Sequence, residues 1–130
     1  MRNATRAAIA LVGLFNLAIG LAFLADPARL GASFFLAPGG IQGLATMRAD
    51  FPAFFVTGGA FALLGAWRSR SAPLAVPLLL LGIALFGRFV SLAADGASPT
   101  AFQPMIAEAV MIAILLGGRR ALATPTGDRS

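Results

Sequence analysis

Four stretches of the chain are apolar at nearly every position, and short polar or Pro/Gly-bearing segments separate them. The first, Ala7 to Ala25, follows Arg2 and Arg6 and stops at Asp26-Pro27. The second runs from about Phe51 to Trp67, with a start as early as Gln42 also open. The third covers Pro73 to Ala93, and its Pro73 and Pro77 fall in the opening turns, where a missing N–H costs least. The fourth covers Ala101 to Gly117, with Pro104 in its first turn. About 20 mostly apolar residues cross a bilayer core as a helix. All four segments are apolar around most of their circumference, unlike amphipathic surface helices. The pattern predicts an all-α, integral membrane four-helix bundle: one domain over 1–122, with spans at 7–25, 51–67, 73–93 and 101–117. A polar tail over 123–130 is expected to be disordered.

Between the first two spans, Ala28 to Ala37 allows a short helix lying in the outer interface or a packed loop, and Pro38-Gly39-Gly40 closes it as a turn. The first span is long for a cleaved leader, and three more follow, so it reads as a retained span.

Composition sharpens the picture. Hydrophobic residues make up 58% of the 130, charged residues only 12%, and mean hydropathy is +0.86. A soluble domain carries about 25% charged residues. The net charge of +5 comes from Arg in ones and twos between apolar runs, which forms no basic face for nucleic acid. Arg2 and Arg6, Arg68 and Arg70, and Arg119, Arg120 and Arg129 lie on alternate sides of the spans from Asp95. The positive-inside rule then places both termini in the cytoplasm, in a bacterial inner membrane. With no Cys, His or Tyr, thiol chemistry and much of the catalytic and metal-binding inventory are absent. No Gly-rich loop joins a strand to a helix, so no nucleotide site is expected. No cofactor, metal or catalytic residue is assigned.

Helix contacts in lipid favour small residues. Gly58, Ala62 and Ala66, with Gly59 beside them, form one such stripe in the second span. Ala84, Gly87, Arg88, Ser91 and Asp95 share a face of the third, and Ala109, Ala113 and Gly117 repeat in the fourth. All three stripes are expected to close the bundle, ahead of serving as a homodimer seam.

Charges within a span are functional-site candidates. Arg88 lies seven residues before Asp95 and Glu108 seven after Ala101, so both sit roughly 10 Å below the outer end. Asn16 lies ten residues before Asp26, roughly 15 Å deep, and Arg48 and Asp50 stand at the outer start of the second span. This match of depth predicts an Arg88–Glu108 pair facing inward, with Asn16, Arg48, Asp50 and Asp95 extending the polar cluster. Three roles are open. The pair can lock helix register. It can bind an anionic or amphipathic ligand through Arg88 and Arg48, with apolar walls for a tail. It can carry protons for transport.

The run MRADFPAFFVTGGAFALLGAWR, the GRFVSLAADG that follows and the lone Glu of the last span resemble the bacterial family called domain of unknown function 4345. The matching positions are Arg48, Gly87, Arg88, Asp95, Gly96 and Glu108, and the resemblance spans Ala8 to Gly117. It implies a small four-span membrane protein. Asp50-Phe51-Pro52 departs from the Gly-rich turn expected there. A looser similarity to DoxX-like four-helix membrane proteins implies a redox-linked accessory role, for which this chain has no redox residue.

Three function classes follow. The first is a non-enzymatic bundle, either an accessory subunit of a membrane protein partner or a binder of a lipid or hydrophobic ligand. The second is a transporter component, which needs a homo-oligomer because four spans are few for a transport path. The third is an enzyme on lipid-phase substrates with Glu108 as acid or base, a task that an ion-paired carboxylate serves poorly.

Overall fold

A computed structural model describes residues 2–123. Among them there are five α-helices and no strand: α1 (Arg2–Ala25), α2 (Pro27–Ser33), α3 (Gly40–Arg68), α4 (Ala75–Asp95) and α5 (Phe102–Ala123), with a 3-10 turn (Ala72–Leu74) leading into α4. The tail expected over 123–130 lies outside the described residues from position 124 onward, and Ala123 ends α5.

Local chemistry sets the boundaries. Asp26 ends α1 and caps α2, its carboxylate accepting from the Arg29 N–H at 3.3 Å, while Pro27 opens the helix where no N–H is needed. The segment between α1 and the next long helix thus forms a short helix, and Pro27 and Gly31 bury one side of it. Phe35 and Ser69 adopt left-handed backbone (φ 62° and 52°), so that Leu36 and Arg70 donate back to the Gly31 and Gly65 carbonyls at 2.8 and 3.0 Å.

The second long helix begins earlier than the core of its apolar stretch, Phe51 to Trp67. Helix α3 starts at Gly40, close to the earlier of the two expected starts, Gln42, rather than at Phe51, and runs unbroken through Pro52. Proline removes one backbone donor, and the rest of the helix carries it. At 29 residues α3 is about 44 Å long, well beyond an apolar core of about 30 Å. Its first turns, rich in Gly, Thr and Gln, extend past the apolar region, where hydropathy is silent about helix.

Three helices are long and apolar enough to cross a membrane: Arg2–Ala25, Gly40–Arg68 and, with the 3-10 turn, Ala72–Asp95. Helix α5 is outside that set and carries Glu108 in its first half. Each long helix packs antiparallel on its neighbours, in the cyclic order α1, α3, α4, α5. The register is visible in pairs of residues: Gly13 beside Gly59, Gly20 beside Val56, Gly65 beside Leu74, Gly118 beside Ile9, and Asn16 beside Met111.

The tightest seam joins α1 to α3. A Cβ on Gly59 would stand 2.6 Å from the Gly13 carbonyl oxygen and 2.8 Å from the Leu17 nitrogen, so the two backbones touch. Gly58, Gly59, Ala62 and Ala66 are buried, and that stripe closes the interior as expected. The stripe on α5 does not. Ala109, Ala113 and Gly117 are exposed, and α5 turns Met105, Glu108, Leu115, Gly118 and Leu122 inward instead. Gly87 also faces outward, with nothing within 4 Å of an added Cβ.

The core sits toward the end that holds Arg2 and Arg68. Ile9, Val12, Ala62, Ala66, Leu74, Leu115 and Leu122 close it, and arginines finish the helix ends there. Arg6 donates to the carbonyls of Ala66 (2.7 Å) and Trp67 (3.1 Å), and Arg2 to that of Ala121 (2.8 Å). A cation at a helix C-terminus satisfies orphan carbonyls and opposes the negative end of the dipole.

Candidate functional site

At the opposite end of the molecule, rings pack beside the close approaches of Gly20 and Gly31. Phe23, fully buried, stacks on Phe51 at 4.8 Å and on Phe55 at 6.0 Å, and meets Phe34 at 5.3 Å. Large side chains at this level hold α1, α2 and α3 together and leave space toward α4 and α5. That space is a cavity of about 470 Å³. Its walls are Phe15, Phe34, Phe51, Phe54 and Phe55, with Ile19, Leu81, Ala84, Ala107 and Met111. Its polar lining is Asp50, Arg88 and Glu108.

Arg88 donates from Nε to Glu108 Oε1 at 2.8 Å. Glu108 is nearly enclosed, its side chain 11% exposed, while that of Arg88 is 37% exposed. Arg88 also lines a second, more polar hollow of about 600 Å³, together with Phe34, Phe35, Ser91, Asp95 and Pro104. Arg88 therefore lies on the boundary of the two spaces, with Phe34 and Pro104, which line both as well.

The six residues of the expected polar cluster are distributed unevenly. Arg88, Glu108 and Asp50 line one cavity. Asp95 lines the more polar hollow, where the Ser91 hydroxyl donates to it at 3.3 Å. Asn16 is buried deeper, donating to the Val12 carbonyl at 2.9 Å and to the Met111 sulfur at 3.4 Å, away from the ion pair. It borders a small void with Phe54 and Leu81, which also wall the main cavity. Arg48 stands apart from the cavity lining and donates from Nε to the Leu24 carbonyl at 3.2 Å, closing the end of α1. The expected pairing of Arg48 with Arg88 around one ligand is thereby corrected: α3 turns position 48 toward α1, and position 50 faces the cavity.

The phenylalanine walls do not stand out in the sequence. The signal was there in Phe34-Phe35 and in the Phe51, Phe54, Phe55 cluster beside Asp50. Rings on an apolar helix look alike whether they face lipid or a cavity. Among the described residues no three of Asp, Glu, His or Cys come together as a metal site.

Comparison with known proteins gives one result. The family model described as Domain of unknown function (DUF4345) matches residues 4–118. No curated protein and no solved structure matches the chain.

Proposed function

The chain belongs to the DUF4345 family, and we propose that it is a non-enzymatic four-helix protein of a bacterial plasma membrane that binds a hydrophobic or amphipathic ligand. The observation that carries this reading is the 470 Å³ cavity, with apolar and aromatic walls and the Arg88–Glu108 pair on its polar side. Its size and lining match those of small-molecule sites.

The surface supports a membrane setting. Large apolar side chains face outward on α1 (Leu11, Leu14, Leu21), on α4 (Leu79, Ile83, Phe86) and on α5 (Ile106, Val110, Leu116). Buried glycines and alanines on α3 let the helices approach closely beside a core of larger apolar side chains. Apolar surfaces outside and small residues at the helix seams fit helices that meet in lipid. The outward row on α5 supports a fourth span in spite of Glu108, whose charge is turned inward and paired. Exposed Trp67 at one end and Phe35 at the other suit the two interfaces, and the arginines around the first end favour cytoplasmic termini. The cavity then lies in the outer half.

Native mass spectrometry of the protein, extracted gently from its own membrane, tests the reading. A discrete bound mass is expected, and it is lost in Ala84→Trp, which fills the cavity from α4. A bare chain, identical in wild type and variant, overturns the proposal. A bound protein mass in place of a small molecule makes the chain an accessory subunit instead.

A further inference from the structure

The charges of the cavity do not balance. Arg88 and Glu108 neutralise one another at 2.8 Å. Asp50, at the exposed start of the lining, has no ion pair or hydrogen bond to its side chain among the described residues. Arg48, two residues away on α3, is occupied with the Leu24 carbonyl and is not part of the lining. One carboxylate is thus left without a counter-charge at the edge of an apolar cavity.

The walls are aromatic, and a ring turned face-on to the space adds a field of the same sign. Phe34, Phe51, Phe54 and Phe55 surround the space on the α2–α3 side. Aromatic faces carry negative potential and attract cations, ammonium groups above all. Their positions are fixed by mutual packing: Phe51 stacks on Phe23, Phe34 meets Phe55 at 5.9 Å, and Phe54 stands edge-on to Phe55 at 4.9 Å. An anion here would meet two carboxylates, and the one cation of the lining, Arg88, has its charge already balanced by Glu108. The opposite charge meets Asp50 and the rings together.

Resting on the ligand-binding reading above, we propose that the ligand is an amphiphile with a cationic ammonium head. The head sits between Asp50 and the phenylalanine faces. The tail lies along Leu81, Ala84 and Met111. Free amphiphilic amines and the ammonium of a lipid headgroup share this chemistry.

The full chain in neutral maltoside micelles allows a matched comparison. Saturable binding is measured for radiolabelled dodecyltrimethylammonium, dodecanoate and dodecanol, which share one tail and differ in charge. The cation is expected to bind one per chain, at least tenfold tighter than dodecanoate. Asp50→Asn is expected to weaken the cation tenfold or more and to leave dodecanol unchanged. Phe51→Leu serves as a second variant and weakens the cation selectively. Equal or tighter binding of dodecanoate overturns the inference, as does unchanged cation affinity in both variants. If dodecanol still binds and is lost in Ala84→Trp, the cavity remains a ligand site and only the head charge is wrong. If none of the three binds saturably, the ligand reading fails and the inference with it. Displacement of the bound cation by short-chain phosphatidylethanolamine, and not by phosphatidylglycerol, assigns the ammonium to a lipid headgroup. No displacement by either assigns it to a free amine.

Discussion

Arg88 and Glu108 are joined through one nitrogen, Nε to Oε1 at 2.8 Å, and the two partners differ in access to solvent. Glu108 is enclosed, whereas Arg88 reaches the more polar hollow. The consequence is an asymmetry between substitutions. Arg88→Ala strands a buried carboxylate, and the expected cost is about 3 kcal/mol, the low end for breaking a buried pair. Glu108→Gln leaves an arginine that can turn its head outward, and costs clearly less. Thermal unfolding in detergent, followed by circular dichroism, checks the order. An equal loss in the two variants would mean that the pair is as solvated on one side as on the other.

The seam between α1 and α3 makes a sharper steric prediction. In Gly59→Ala the new methyl meets backbone atoms of Gly13 and Leu17, which cannot swing away. Overpacking of this kind costs about 1–3 kcal/mol, and the upper end is expected here. Gly87→Ala meets nothing within 4 Å and is expected to be neutral or to stabilise by up to about 1 kcal/mol. Parallel melting curves decide the matter, and a harmless Gly59→Ala contradicts the close approach.

Phe23 ties the ring cluster together without lining the cavity itself. Phe23→Ala removes a fully buried ring, at a cost of about 3–5 kcal/mol. Phe51, Phe55 and Phe34 lose their common support, so ligand binding is expected to fall along with stability. Phe23→Leu restores part of both. A variant that melts early yet binds as wild type would show that the walls stand on their own.

Arg48→Ala is expected to be mild. Its guanidinium closes an exposed helix end at 3.2 Å, an interaction of about 1 kcal/mol or less. Retention of the bound mass in native spectra, with a small drop in melting temperature, is the expected result. Loss of the ligand would return Arg48 to the binding site.

The sequence alone determined the apolar segments, the helical class and the height of each charge along its helix. A rise of 1.5 Å per residue converts a residue count into depth, and for Arg88 and Glu108 that arithmetic brings two residues on different helices to one level. Tertiary structure decided the direction in which each side chain points around its helix axis. In a water-soluble helix the polar face marks the outside. Here both faces are apolar, so hydropathy carries no azimuth. That is why Ala109, Ala113 and Gly117 pass for an interior stripe and lie on the surface, and why Arg48 as well as Asp50 is expected beside Arg88 although only Asp50 reaches the cavity. Only the packing of α3 against α1, backbone to backbone at Gly13 and Gly59, fixes the rotation that turns Arg48 to the end of α1 and brings Asp50 and the phenylalanines to the cavity.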